Sequence, residues 1–128
     1  MIIGKTVLSE DDTGVDYFSP WFPRGGNLGA FTCEVIAIAG SSQISAFSIQ
    51  VQTKNREQSD KDATPVGSAQ SVPPLSAGFT KWNAGATLDS TTDAGMLELV
   101  RFKYTVTAQT GNQAWVHFRM LEPSWLSN

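Results

Sequence analysis

One cysteine and one histidine occur among the 128 residues of this chain, and each scarcity excludes some chemistry. Cys33 alone can form neither an intrachain disulfide nor a cysteine metal cluster. His117 alone rules out the two- and three-histidine sets of catalytic zinc sites. A Ser-His-Asp or Cys-His relay would have to be built on His117, and no nucleophile elbow accompanies it. Charge is also sparse, with nine basic and twelve acidic residues and a net charge of -3. Binding to nucleic acid needs basic surface to neutralise phosphates, so it is not expected. No apolar run approaches the roughly 20 residues of a membrane-spanning helix, and no membrane partner is expected. The start, MIIGKTVLSEDDTG, turns acidic too soon for a signal peptide. Work outside a cell would then follow lysis or incorporation into a particle.

Three further groupings invite chemistry and lack its pattern. Glu10-Asp11-Asp12 suggests Ca²⁺, but the glycine and closing glutamate of an EF-hand loop are missing. Arg24-Gly25-Gly26 has neither the lysine nor the glycine spacing of a phosphate loop. Glu34, Glu98 and Glu122 could supply paired carboxylates for glycoside hydrolysis, yet nothing in their spacing asks for it. The expectation is a protein with no catalytic, cofactor-binding or metal-binding residues, and not an enzyme.

What is present is strand pattern. In LELVRFKYTVTAQTGNQAWVHFRMLEPSW, Val100, Phe102, Tyr104 and Val106 alternate with Arg101, Lys103, Thr105 and Thr107. Ala114, Val116, Phe118 and Met120 alternate in the same way with Trp115, His117, Arg119 and Leu121. The Gly111-Asn112 turn between them predicts a hairpin. Its three-residue loop would set Val106 against Val116, Tyr104 against Phe118 and Phe102 against Met120. The same register would oppose Lys103 to Arg119, a like-charge pair that calls for carboxylates nearby, such as Glu98, Glu34 or a partner's.

Ile2 to Leu8 reads as an edge or first strand, and Val15 to Phe18 as a brief one. Pro20 and Pro23 interrupt pairing around Trp21 and Phe22, an aromatic pair that either caps the sandwich or anchors a partner. Leu28 to Ala39 is a strand that becomes apolar on both faces after Val35. Ile44 to Lys54 returns with Phe47, Ile49 and Val51 inward. Lys54 to Pro74 is the one long polar segment, expected to be an excursion from the sheet. Cys33 falls at an inward position as a small buried hydrophobe. The tail leaves the sheet at Pro123, and Trp125 and Leu126 must pack back or meet a neighbour. One domain spanning residues 1–128 is expected. Its class is all-β: an antiparallel β-sandwich of six to eight strands with one long polar loop, the jelly roll being one topology open to it.

The segments WFPRGGNLGAF, QVQTKN, ELVRFKYTV and WVHFRMLEPSW punctuate the chain. Taken whole, it resembles the small all-β decoration or cement proteins of tailed bacteriophage virions. That resemblance is one of overall type, and no site residue carries over from it. It implies a structural protein, made in the host cytoplasm and located in the virion, that stabilises the shell by binding across subunit boundaries. Its partners would be the major capsid protein or other virion subunits, with self-association to a trimer or dimer. The interface candidates are Ile2 and Ile3 in the N-terminal arm, the Trp21, Phe22 and Arg24 corner, and the basic strip Arg101, Lys103 and Arg119. Trp115 on the polar face and Trp125 with Leu126 in the tail complete the set. The alternatives are a carbohydrate-binding module stacking sugars on Trp21, Trp82, Trp115 or Trp125, or another self-assembling tail or fibre protein.

Overall fold

The computed structural model describes residues 3–9, 15–26, 28–39, 44–71, 78–85, 96–108 and 114–126. These form strands β1 (Ile3–Ser9), β2 (Val15–Phe18), β3 (Phe22–Pro23), β4 (Leu28–Ala39) and β5 (Ile44–Lys54). A 3-10 turn at Asp60–Asp62 leads to β6 (Thr64–Ser71), β7 (Gly78–Gly85), β8 (Leu99–Ala108), β9 (Ala114–Met120) and β10 (Ser124–Leu126). Every pairing is antiparallel. Sheet A runs β1-β9-β4-β7, and β10 takes over from β9 along the same edge of β4. Sheet B runs β2-β8-β5-β6, and β3 takes over from β2 along β8. The chain therefore changes sheet at every connection except β2 to β3, β5 to β6 and β9 to β10. Two four-strand-wide sheets wound in this order make a jelly roll.

The inward faces follow the alternation read from the sequence. Phe31, Cys33 and Val35 of β4 face Phe47, Ile49 and Val51 of β5 in one core. Val100, Phe102, Tyr104 and Val106 of β8 and Val116, Phe118 and Met120 of β9 complete it. The expected β8–β9 hairpin, however, does not form. β8 pairs with β5 and with β2 and β3, whereas β9 pairs with β1 and β4 in the other sheet. Tyr104 does meet Phe118, with ring centroids 4.8 Å apart, but across the core from sheet to sheet. A period of two says which face is buried and not which strand lies alongside, so stacking and pairing satisfy it equally. The Gly111-Asn112 turn lies outside the described residues.

The polar excursion is shorter than expected. Residues 55–63 leave the sheet, but Thr64–Ser71 returns as the edge strand β6 beside β5. Its only buried residue is Val66, too little apolar signal to mark a strand. Backbone pairing holds it, with Pro65 tolerated at a strand start on an edge. The register shifts between Ile49 and Val51, and Gly67 on the opposing strand takes φ 69°. That is the left-handed region open to glycine. In β4 the apolar stretch after Val35 has a comparable cause. A bulge between Val35 and Ala37 shifts the alternation by one residue: Ile36 is exposed, and Ala37 comes level with His117 on the outer face.

The tail neither hangs free nor ends the sheet at Pro123. Ser124, Trp125 and Leu126 pair with Ala30, Gly29 and Leu28. Trp125 packs edge-on to Phe31 at 5.8 Å, and Phe31 in turn meets Phe102 at 5.4 Å. Two glycines make room for this aromatic wedge. A Cβ on Gly29 would lie 2.5 Å from Phe31 Cζ, and one on Gly25 would lie 2.5 Å from Trp125 Cδ1. Gly29→Ala is expected to destabilise by about 1–3 kcal/mol, the range for overpacking a filled core. Urea unfolding of the variant checks this, and an unchanged midpoint would show that Phe31 yields freely.

Candidate interaction surface

The outer face of sheet B carries the most organised polar cluster among the described residues, and the chain builds it from four places. β2 stops at Phe18 because Pro20 follows. Ser19 bridges the gap: its N–H donates to Phe102 O at 2.9 Å, and its Oγ accepts from Phe102 N–H at 2.8 Å. The corner that results leaves Trp21 half-buried on the outside and turns Phe22 into the core, 5.5 Å from Phe102. Arg101 projects outward from β8, opposite Gln52 of β5. Lys54 ends β5, and the 3-10 turn delivers Asp60.

These side chains interlock. The Arg101 guanidinium lies over Phe18 at 4.1 Å and over Trp21 at 4.5 Å, and Lys54 Nζ lies over Trp21 at 4.9 Å. Such cation–π contacts strengthen as the cation loses water. Here Arg101 is 9% exposed and Lys54 8%. Asp60 draws the group together. Its Oδ1 accepts from Lys54 Nζ at 2.8 Å and from Trp21 Nε1 at 3.0 Å, and its Oδ2 lies 3.7 Å from Arg101 NH1. The hydrogen bond from Lys54, the Lys54 charge, Trp21 and Arg101 together hold the Asp60 carboxyl below its usual range. Burial lowers the Arg101 pKa from its ordinary very high value, with Asp60 opposing the shift, and the group stays charged. Along the same face Lys103 pairs with Asp16 at 3.6 Å, and in the segments flanking β5 and β8 Arg56 pairs with Glu98 at 3.7 Å.

The basic strip expected from the alternation is thus divided. Arg101 and Lys103 lie on the outside of sheet B, while Arg119 lies on the outside of sheet A, paired with Glu34 directly across the ladder. Lys103 does not oppose Arg119, because β8 and β9 are in different sheets. Phe22 is corrected from interface candidate to core residue, since pairing with Val100 turns its ring inward. Arg24 is exposed, and its NH1 donates to Met96 O at 2.7 Å. Of the candidates, the structure brings together Trp21 and Arg101, with Lys103 on the same face. Trp125 stands apart, half-buried beside a groove of about 210 Å³ lined also by Phe22, Pro23, Glu122 and Pro123. Ile3 and Leu126 belong to paired strands by backbone. Their side chains, those of Trp82 and Trp115, and the whole of Ile2 lie outside the described parts, as does Glu10-Asp11-Asp12.

Sequence reading missed Lys54, Asp60 and Phe18 as partners of this cluster. In the sequence Lys54 reads as the end of a strand and the start of the polar segment, and Asp60 only as part of that segment; their convergence on Trp21 is tertiary. His117 sits on the outer face of sheet A, level with Thr6 and Ala37. Among the described residues no three of His, Cys, Asp and Glu gather to hold a metal ion, and no helix is long and apolar enough to cross a membrane. Fold and surface together define a jelly-roll sandwich with an aromatic–cation cluster on one outer face. Comparison with protein-family models gives no match, and comparison with curated proteins gives no significant match either.

Proposed function

We propose that this chain is a non-enzymatic structural protein of a virion, a decoration or cement protein that docks across boundaries between shell subunits. The carrying observation is the Trp21–Arg101 cluster on the outer face of sheet B. Trp and Arg are the side chains most enriched at interface hot spots. These two are held in place by Gln52, Asp60 and Phe18, so little side-chain freedom remains to be lost on docking. The jelly roll supports the reading by analogy, since viral shell proteins use it, as do lectins and cupins. The major capsid protein or another virion subunit is the proposed partner, with the protein itself a trimer or dimer.

Light scattering across a dilution series tests this reading. A stable trimer or dimer is expected. Trp21→Ala should weaken it by about tenfold or more while leaving the circular dichroism of a folded chain. A monomer at every concentration would sink the self-associating form of the proposal. One observation favours a carbohydrate-binding module as a second reading: the groove beside Trp125 joins an aromatic ring to the Glu122 carboxylate. Quenching of tryptophan fluorescence by a polysaccharide, lost in Trp125→Ala, would select it.

A further inference from the structure

Arg101 is more deeply buried than its hydrogen bonding repays. A guanidinium has five N–H donors. Here Nε donates to Gln52 Oε1 at 2.9 Å, and NH1 stands 3.7 Å from Asp60 Oδ2, beyond hydrogen-bond reach. No other acceptor is assigned to it among the described residues. Its free donors are not sealed in, because the one fully buried, unpartnered side-chain polar atom there is Tyr104 Oη. The rings of Phe18 and Trp21 fix the plane of the fork, and Gln52 fixes its Nε corner. The unused amino groups are therefore oriented and not fully enclosed.

We infer that Arg101, set by Phe18, Trp21 and Gln52, is a receptor for a carboxylate on an acidic segment of a partner protein. A planar fork with free adjacent N–H groups matches a carboxylate through two parallel hydrogen bonds. The local charge points the same way. Within this set of ion pairs Lys54, Arg101 and Lys103 stand against Asp16 and Asp60, one positive charge in excess on a chain of net charge -3. One monoanion balances it. Asp60 is too distant to hydrogen-bond the fork and keeps its own partners in Lys54 and Trp21. It opposes the incoming carboxylate only through its charge. The inference rests on the docking reading above and names the chemistry of the partner.

The test uses the full ¹⁵N-labelled chain and follows the Arg101 Nε–H resonance, assigned by its absence from Arg101→Lys. The probe is a blocked tri-glutamate peptide, compared with its tri-glutamine counterpart and with inorganic phosphate at matched ionic strength. A saturable shift is expected with tri-glutamate and none with tri-glutamine. Arg101→Lys, which keeps the charge and loses the fork, should bind the peptide at least severalfold more weakly. Asp60→Asn should bind it severalfold more tightly. Absence of a saturable shift, equal binding by Arg101→Lys, or tighter binding of phosphate would each overturn the inference. If Arg101→Lys does not fold, the wild-type and Asp60→Asn titrations decide. A chain that self-associates yet ignores the peptide refutes the receptor and leaves the docking proposal standing. A monomer that binds the peptide does the reverse.

Discussion

Replacing Phe102 with alanine is expected to cost about 3–5 kcal/mol, the range for emptying a buried aromatic site. Phe102 is fully buried and touches Phe22, Phe31 and Tyr104, so its ring joins the β3 corner, sheet A and its own strand. No neighbour can collapse into the space without unseating another ring. Against a total stability of about 5–15 kcal/mol for a domain of ordinary size, that loss removes a large fraction. Urea unfolding followed by circular dichroism measures it. Trp21→Ala in the same assay should lose distinctly less, because Trp21 is half-buried outside the core. Equal losses at the two positions would mean that the outer cluster, and not the core, holds the corner in place.

Alkali should destabilise this protein steeply, through two buried groups near the centre of the sandwich. Burial, and secondarily the charge of Glu34, pushes the Cys33 thiol up to about 12. Burial also raises the Tyr104 phenol well above its ordinary value, with Cys33 adding to the shift and nearby Ser19 opposing it. No hydrogen bond of ordinary geometry satisfies Tyr104 Oη among the described residues. The sign follows from proton binding. Above the unfolded pKa the unfolded chain releases protons that the folded chain still holds, so stability falls as pH rises. With ordinary values near ~8.5 for cysteine and ~10 for tyrosine, the loss between pH 8 and pH 11 is about 3 kcal/mol from Cys33. Tyr104 adds about 1 kcal/mol over the same range. Urea midpoints at each pH should drop accordingly, and Cys33→Ala with Tyr104→Phe should flatten most of the slope. At neutral pH Tyr104→Phe alone should be neutral or mildly stabilising, since it deletes a buried hydroxyl without an acceptor. A slope unchanged in the double variant would place the alkaline sensitivity elsewhere.

How far the sequence reached depends on which physical signal each feature left in it. Alternation in β4, β5, β8 and β9 named nearly every core residue, because a half-buried strand repeats its burial every second position. β6 went unread because its pairing is carried by backbone groups common to all residues, with Val66 alone inside. Trp21 and Phe22 were read together as neighbours with one fate. The Ser19-Pro20 corner separates them, sending Phe22 inward and leaving Trp21 under Arg101 and Lys54.

The sequence by itself determined the class of the protein: strands that alternate apolar and polar positions, separated by turn residues, specify an all-β sandwich. Which strand lies beside which was decided only by the tertiary structure. Burying an apolar face is satisfied equally by a partner in the same sheet and by one across the core, and the jelly-roll winding chose the second for β8 and β9. The surface cluster was decided there too. Phe18, Trp21, Lys54, Asp60 and Arg101 are spread over more than eighty positions of the chain and come together only where β2, β5, β8 and the 3-10 turn meet.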